Sequence, residues 1–292
     1  MTNHADKYGI VVGVDGSLAS DAAIRFAAHD AVLRDAPLTL LHVALPVPDW
    51  AERTRQLEIA TAAEENARDV IEQARKTAVA AVGESALVDL RTEVVHSTPA
   101  STLIGASERA QLLAVGRRGM GAVGRLILGS VSDALVHHAH CPVAVIHDDA
   151  DSAQSDAPVL VGIDGSPASE GAIAFAFEEA SRRHVHLVAL HAWSDVGVFP
   201  ILGMNWRDYE ARGAELLAER LAGWQEQYPD VRVERQVVCD KPAHWLIEES
   251  QHAQLVVVGS HGRGGFAGLV LGSVSSALAR SITAPLIVHR TS

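Results

Sequence analysis

The feature that most constrains this chain is a glycine-rich stretch that occurs twice. The first copy, Leu112–Ser132, reads LLAVGRRGMGAVGRLILGSVS, and the second, Leu255–Ser275, reads LVVVGSHGRGGFAGLVLGSVS. Both copies keep the spacing G-x2-G-x9-G-S, which falls on Gly116, Gly119, Gly129 and Ser130, and again on Gly259, Gly262, Gly272 and Ser273. Each copy begins as a short apolar run of the kind that forms a buried strand. A spaced pattern that recurs after the same kind of strand indicates a duplicated structural unit.

The duplication extends over the rest of the chain. The segment GIVVGVDGS, which starts at Gly9, returns as VLVGIDGS from Val159, and the apolar run after Cys141-Pro142 returns after Ala284-Pro285. Between the two copies lies a small, acidic and polar stretch, which is typical of a linker. The sequence therefore predicts a first domain over residues 1–147, a linker over 148–157 and a second domain over 158–292.

Within one unit, strand and helix patterns alternate. The apolar and turn patterns of the first unit predict nine elements. In order, they are strand Ile10–Val14, a helix to about Arg34, strand Leu38–Val43, a long helix from about Ala51 to Val82, strand Asp89–Val95, a short helix from Pro99, strand Leu112–Val115, a helix from Ser130 and strand Val143–Ile146. Apolar strands that alternate with helices imply a parallel sheet covered on both faces. We expect an α/β protein with two tandem doubly wound, Rossmann-like or flavodoxin-like, five-stranded parallel-sheet domains.

Charge and composition exclude several classes of partner. The formal net charge of −12 disfavours binding to nucleic acid or to an anionic membrane surface, since both need a basic footprint. No apolar run approaches the roughly 20 residues that span a bilayer, and the polar N-terminal stretch has no signal-peptide core. Cys141 and Cys239 occupy non-equivalent places, so a disulfide framework is not expected. We expect a reduced, cytoplasmic protein with no nucleic-acid or membrane partner.

The position of the glycine loops predicts a phosphate site. In open parallel sheets, ligands bind at the carboxyl ends of the strands where the strand order reverses. Asp15, after the first strand, and the glycine loop, after the fourth, both fall there. Glycines let backbone N–H groups approach an anion and permit positive φ, and a helix N-terminus favours phosphate. We expect Ser130 to be the N-cap of that helix, with Asp133 three residues on.

Two other phosphate-binding motifs can be compared with the amino-acid sequence. A P-loop requires a Gly-Lys pair, which the chain does not contain. The run from Gly119 to Gly124 does satisfy the dinucleotide-binding pattern G-x-G-x-x-G, with Asp148 further along. The second copy lacks the third glycine at that spacing and has no acid after its final strand. The longer pattern is the one that both copies share.

At these residues the chain resembles the universal stress protein family, in the tandem two-domain form typical of actinobacteria. The similarity extends from Gly9 to His289, and both copies fit the G-x2-G-x9-G-[ST] motif of the ATP-binding members. The resemblance implies that each unit binds ATP, which is often accompanied in that family by a metal such as Mg²⁺. No dedicated carboxylate cage for a metal is visible in the sequence.

The resemblance also implies which residues hold the nucleotide. On the nucleoside side these are Gly13, Asp15 and Val43 in the first unit and Gly162, Asp164 and Ala192 in the second. Asp195 is a further candidate, because it follows the second strand of the second unit, within reach of a ribose hydroxyl. The phosphates would contact Gly116, Arg117, Arg118, Gly119, Met120, Gly121, Ala122, Gly129, Ser130, Val131 and Ser132 in the first unit. In the second unit they would contact Gly259, Ser260, His261, Gly262, Arg263, Gly264, Gly265, Gly272, Ser273, Val274 and Ser275.

Several other residues are of types that often act as phosphoacceptors, metal ligands or catalysts, but other interpretations fit them better. Asp15 lacks the neighbouring acids and the lysine that a receiver-domain phosphoacceptor needs. The cluster of His137, His138, His140 and Cys141 lies at a helix end, where histidine complements the dipole, and it is not repeated in the second unit. His42 and His191 are interpreted as core histidines with satisfied hydrogen bonds. No nucleophile–base pair recurs between the copies, so we assign no catalytic residue.

Three hypotheses about function remain open at this point. The favoured one is an ATP-binding regulator of stress or growth-arrest responses, in which nucleotide occupancy biases a conformational or assembly equilibrium. The alternative is a slow ATPase or phosphotransfer enzyme that uses the same sites, and a scaffold with degenerate sites is a third hypothesis. The final strands, Val143–Ile146 and Leu286–Val288, are apolar sheet edges that need covering. We expect them to pair as a pseudo-dimer within the chain, with a homodimer of chains as a further association.

Overall fold

A computed structural model describes residues 8–46, 53–119, 128–147, 156–192, 206–262 and 271–290. The side chains of residues 53–54 and 206–209 are not described. The chain divides into two compact units, Met1–Asp148 and Asp149–Ser292. Each unit is an α/β structure built on a parallel sheet.

The first unit alternates strands and helices in the predicted order. Its elements are β1 (Gly9–Val14), α1 (Leu18–Arg34), β2 (Leu38–Ala44), α2 (Arg53–Val82), β3 (Leu90–His96), α3 (Pro99–Ser107), β4 (Ala110–Gly116), α4 (Ser130–His138) and β5 (Val143–Ile146). All pairings are parallel, and the order across the sheet is β3-β2-β1-β4-β5. The order reverses between β1 and β4, which is where this fold class binds ligands.

The second unit repeats this arrangement. It contains β6 (Val159–Gly162), α5 (Pro167–Arg183), β7 (Leu187–Ala192), α6 (Trp206–Gln227), β8 (Val233–Val238), α7 (Pro242–Glu249), β9 (Leu255–Gly259), α8 (Ser273–Ser281) and β10 (Leu286–His289). Its strands are again parallel, in the order β8-β7-β6-β9-β10. The reversal lies between β6 and β9.

The central strands are buried because helices cover both faces of each sheet. In the first unit α1 packs against α2, and α3 packs against α4. Ile10, Leu40, Leu113 and Val143, one from each of four strands, have no exposed surface. The side chains of strand β3 are half-buried or exposed, as expected of a strand at the edge of a sheet. The predicted fold class is confirmed.

The predicted element bounds are close to the observed ones. Among the elements of the first unit, α1 ends at Arg34 and β5 covers Val143–Ile146 as expected, while the other bounds differ by two residues or fewer. The expected start of the long helix at Ala51 and most of the expected linker, residues 148–155, lie outside the described residues. None of the described helices is both long and apolar enough to cross a membrane.

Candidate functional site

The turn after β1 fixes the carboxylate of Asp15. Its Oδ1 accepts a hydrogen bond of 3.0 Å from the backbone N–H of Ser17, across Gly16, whose φ of 84° is accessible to glycine without steric cost. Ser17 in turn caps α1, because its side chain accepts a hydrogen bond from the backbone N–H of Ser20. Oδ2 lies against the glycine loop, since a β-carbon at Gly119 would be 2.5 Å from it.

The same turn follows β6 in the second unit. The backbone N–H of Ser166 donates to Oδ1 of Asp164 at 2.9 Å, and Gly165 has a φ of 80°. A β-carbon at Gly262 would lie 2.7 Å from Oδ2 of Asp164. In both units the second motif glycine therefore gives the loop room to approach the carboxylate.

A buried histidine holds each of these strand ends. Nδ1 of His42, on β2, lies 2.7 Å from the carbonyl oxygen of Val14, and Nδ1 of His191, on β7, lies 2.7 Å from that of Ile163. A carbonyl oxygen only accepts, so Nδ1 carries the proton in both rings. The interpretation of these residues as core histidines with satisfied hydrogen bonds is confirmed, and each one positions the residue that precedes the aspartate.

The first motif glycine serves packing. A β-carbon at Gly116 would lie 2.6 Å from the backbone carbonyl carbon of Ala19, and one at Gly259 would lie 2.8 Å from the backbone oxygen of Ala168. The end of β4 or β9 therefore touches the backbone of the helix that begins beside it. Only a residue without a side chain permits this approach.

The motif glycines that the structure describes do not use the positive φ that glycine permits. These six glycines have φ values outside the left-handed region; they are Gly116, Gly119, Gly129, Gly259, Gly262 and Gly272. The left-handed conformation occurs instead in the aspartate turns, at Gly16 and Gly165. The motif glycines provide close approach, whereas the turn glycines provide the unusual backbone conformation.

The N-cap of α4 also differs from the expectation. Gly129, with φ −63° and ψ 150°, is the N-cap, and its carbonyl accepts a 2.8 Å hydrogen bond from the N–H of Asp133. Ser130 is the first helical residue, so its assignment as N-cap was wrong. Gly272 caps α8 in the same way. A glycine cap has no side chain to bond the first-turn N–H groups, which lack acceptors within the helix.

The second serine of each G-S-V-S run closes the base of the loop. The hydroxyl of Ser132 donates to the carbonyl oxygen of Gly116 at 2.7 Å, and Ser275 makes the same bond to Gly259 at 2.6 Å. The strand end and the helix start are thereby joined. Each hydroxyl donates its proton within the protein and keeps acceptor capacity only.

These elements enclose a cavity of about 460 Å³ in the first unit. One wall is apolar and includes Leu41, Val43 and Leu103, and the opposite end consists of Arg118 and the start of α4. Asp15 lies in the lining as well. The volume falls within the range of small-molecule sites, about 300–1,000 Å³.

The second unit has a cavity of about 650 Å³ in the equivalent place. Ala192 replaces Val43 in its wall, and His261 replaces Arg118 at the glycine loop. Its lining also includes Lys241 and His244, from the start of α7. Both cavities therefore combine an apolar wall, one aspartate and an uncapped helix start.

Most of the residues implied by the resemblance line these cavities. In the first they are Gly13, Asp15, Val43, Gly116, Arg118, Gly119, Gly129, Ser130, Val131 and Ser132. In the second they are Gly162, Asp164, Ala192, Gly259, His261, Gly262, Gly272, Ser273, Val274 and Ser275. Their role in binding stays a prediction.

Two of the implied residues lie elsewhere. Arg117 is 4 % exposed and Ser260 is 1 % exposed, and neither is part of the described cavity linings. Arg117 continues the sheet, since its N–H donates to the carbonyl oxygen of Ile146 at 2.7 Å. The remaining implied residues lie outside the described part of the chain: Met120, Gly121, Ala122, Asp195, Arg263, Gly264 and Gly265.

The sequence reasoning missed the contribution of α3 and α7. Leu103 lines the first cavity and Leu246 lines the second. Each leucine packs closely on a strand glycine, since a β-carbon at Gly13 or Gly162 would lie 3.0 Å from the leucine Cδ1 atom. The signal was present in the duplication, since both leucines follow four residues after an equivalent proline, Pro99 or Pro242.

The described residues hold no group of three or more histidine, cysteine and acidic side chains arranged for a metal ion. His137 instead makes a 2.6 Å hydrogen bond through Nδ1 to the carbonyl oxygen of Asp133. Burial raises the pKa of the Cys141 thiol to about 12, so that side chain behaves as a small apolar group.

The fold and the two cavities define a tandem α/β protein with a cavity at the equivalent place in each unit. The family model of the universal stress protein family matches residues 9–147 and 157–290. The chain is 55 % identical, over 99 % of both chains, to a universal stress protein of Mycolicibacterium smegmatis. The chain belongs to the universal stress protein family.

The fold is shared with a solved structure that covers nearly the whole chain. A universal stress protein from Archaeoglobus fulgidus aligns with 97 % of this chain and 98 % of its own, at 20 % identity and a TM-score of 0.72. A universal stress protein family protein from Arabidopsis thaliana, solved with AMP bound, aligns with 51 % of this chain and 97 % of its own, at 21 % identity and a TM-score of 0.36.

Proposed function

We propose that this universal stress protein binds an adenine nucleotide, ATP, in each of its two cavities. The observation that carries the proposal is the repetition of one arrangement: an apolar wall, an aspartate held by its own turn, and an uncapped helix start across the cavity. A nucleotide has the matching sequence of parts, since a flat apolar base is joined through a ribose to phosphates.

Each part of the cavity suits one part of the nucleotide. The wall that includes Leu41, Val43 and Leu103 offers an apolar surface for a base. The carboxylate of Asp15 accepts hydrogen bonds, as ribose hydroxyls require. The N–H groups at the start of α4 and the positive end of its dipole favour phosphate.

A divalent cation would be held mainly by the phosphates. Asp15 and Asp164 are the carboxylates in the described cavity linings. One carboxylate together with phosphate oxygens and water suits Mg²⁺, whereas Ca²⁺ usually takes more protein ligands. The bound metal would supply charge neutralisation at the phosphates.

Occupancy of the cavities would act as the signal. A ligand shifts a conformational or assembly equilibrium only through its different affinity for the two states, and ATP that bridges the glycine loop and the aspartate turn would favour the state in which they lie together. We propose a cytoplasmic regulator of stress or growth-arrest responses. The alternative remains a slow ATPase or phosphotransfer enzyme that uses the same sites.

The experiment is a titration of the full chain with ATP and Mg²⁺, by calorimetry, for the wild type and for Asp15→Asn and Asp164→Asn. Asparagine keeps the Oδ1 acceptor of the turn and replaces Oδ2 by a donor. We expect two ATP per chain in the wild type, and a loss of about tenfold or more in affinity at one site in each variant. Asp35→Asn, at the left-handed C-cap of α1, is the matched control.

The same samples separate the two functions. Release of ADP over many turnovers, abolished together with binding, would favour the enzyme, whereas tight binding without turnover favours the regulator. A wild type that binds no ATP at either site would overturn the proposal.

The expected pairing of β5 with β10 and the expected homodimer remain predictions. Sedimentation of the full chain with and without ATP tests the homodimer.

A further inference from the structure

The two cavities differ most at the helix that follows the outer strand. Pro99 starts α3 and Pro242 starts α7, so Lys241 takes the place of Thr98, and His244 takes the place of Ser101. Lys241 and His244 line the second cavity, whereas the equivalent threonine and serine do not line the first. The second cavity thus extends along the first turn of α7, which accounts for part of its larger volume.

The backbone at this place is also specific to the second unit. Lys241 and the preceding Asp240 have φ values of 47° and 58°, which non-glycine residues adopt rarely. Thr98 has an ordinary extended conformation with φ −85°. The N–H of Lys241 donates to Oδ1 of Asp240 at 2.8 Å, and this bond stabilises the unusual turn at the cavity rim.

The permanent positive charge lies at opposite ends of the two cavities. In the first, Arg118 adjoins the glycine loop. In the second, histidine replaces that arginine, and among the described lining residues the permanent cation is Lys241 on the α7 side. β8, which leads to Lys241, is three strands away from β9, which leads to the glycine loop. At the usual strand spacing this is about 14 Å.

The Lys241 ammonium is available to a ligand. Within the described part of the chain it makes no ion pair, and its side chain is exposed at the cavity. His244 lies beside it, with Nε2 3.7 Å from Oε2 of Glu248 in an exposed pair, which contributes little to holding the imidazole. The lysine is therefore a point charge suited to phosphate.

We infer that the second cavity selects a nucleotide that carries a second phosphate on its nucleoside side, and that Lys241 determines this specificity. The inference rests on the proposed function, which places the first phosphate at the glycine loop and the nucleoside toward Ala192 and Asp164. The neighbouring end of β8 then brings Lys241 to the ribose side of the same ligand. The described lining of the first cavity has no cation at the equivalent place. The first cavity therefore binds nucleotides with and without the extra phosphate about equally well.

The test compares AMP with adenosine 3′,5′-bisphosphate as ligands of the full chain, by calorimetry at low and moderate salt. For the wild type we expect one of the two sites to prefer the bisphosphate by about tenfold, with a preference that weakens as salt rises. Lys241→Thr, which installs the residue of the first unit, removes the preference for the bisphosphate over AMP at that site. The reciprocal Thr98→Lys gives the first site a preference of the same sign.

The control is Lys76→Thr, which removes another exposed lysine, on α2, and leaves the preference intact. A preference that survives Lys241→Thr, or a wild type that binds both ligands equally at both sites, overturns the inference while the proposed function stands. A wild type that binds neither AMP nor ATP overturns both.

Discussion

The two units share a backbone and differ in the side chains at the rims of their cavities. The aspartate turn, the histidine bond to the strand end and the serine bond across the loop recur with hydrogen-bond distances that agree within 0.1 Å. The close contact of the first motif glycine with helix backbone recurs as well. The cations do not recur, since Arg118 is matched by His261 and Thr98 by Lys241. The duplicated backbone therefore explains why each unit has a cavity, and the rim residues would decide what each cavity prefers.

The two cysteines give the largest expected contrast between the units. Cys141 of the first unit is buried with its thiol pKa raised to about 12, whereas Cys239 of the second is exposed beside α7. We expect a soluble disulfide reagent to modify Cys239 at least about a hundredfold faster than Cys141. Timed labelling followed by mass spectrometry measures both rates.

Ligand binding sharpens that contrast. A nucleotide in the second cavity should slow the labelling of Cys239, which precedes Lys241 by two residues, and leave Cys141 unchanged. Cys239→Ser removes the fast phase and serves as the assignment control. Fast labelling of Cys141 in the folded protein would contradict the burial of that side chain.

The next largest effect concerns the first motif glycine. Gly116→Ala and Gly259→Ala place a β-carbon within 2.6 Å and 2.8 Å of helix backbone, and backbone cannot rotate away as a side chain can. We expect each to reduce the free energy of unfolding by about 2–3 kcal/mol, measured by urea denaturation. Gly105→Ala is the control, because its β-carbon meets nothing within 4 Å in a helix that alanine favours.

These glycines show what the sequence could predict of the site. The repeated spacing placed Gly116 and Gly259 correctly at strand ends, because a motif and its flanking apolar run carry local information. The spacing could not predict why these positions must be glycine. The reason is that each one touches the backbone of a helix about a hundred residues away in the chain. Ser130 was misassigned as the N-cap because serine is the commoner cap, whereas the extended residue here is Gly129.

The sequence also predicted the strands and helices better than the cavity walls. Continuous apolar runs such as Ile10–Val14 predict buried parallel strands from composition alone. Leu103 and Lys241 reach the cavities only through the way α3 and α7 cross the sheet, which no local pattern encodes. Comparison of the two copies would have found the leucine, since Leu103 and Leu246 both follow the aligned prolines by four residues, but not Lys241, which is not repeated.

A smaller effect separates the interiors of the two units. His289, at the end of β10, and Gly171, on α5, stand where the first unit has Ile146 and Ala22. A β-carbon at Gly171 would lie 2.3 Å from the His289 ring. We expect Gly171→Ala to cost about 1–2 kcal/mol of unfolding free energy, and His289→Ile to restore it in the double variant. A double-mutant cycle by urea denaturation gives the coupling, and strictly additive effects would contradict this packing.

The smallest expected effect is the pH dependence of the same histidine. Burial lowers the pKa of His289 below its ordinary value of 6.5. The unfolded chain then takes up a proton at a higher pH than the folded one, so His289 makes stability fall as the pH drops below about 6.5. His289→Ile should lose less stability than the wild type between about pH 7 and about pH 5. Equal losses in both proteins would show that this histidine titrates normally.

The central claim, two separate nucleotide sites in one chain, is tested most directly by counting nucleotide. The purified full chain is denatured with acid, and the released nucleotide is quantified by chromatography for the wild type, Gly119→Ala, Gly262→Ala and the double variant after saturation with ATP. A β-carbon at either position displaces the aspartate of that unit alone. We predict two, one, one and no ATP per chain. Equal occupancy in all four proteins, or an empty wild type, would contradict the assignment of the cavities as nucleotide sites.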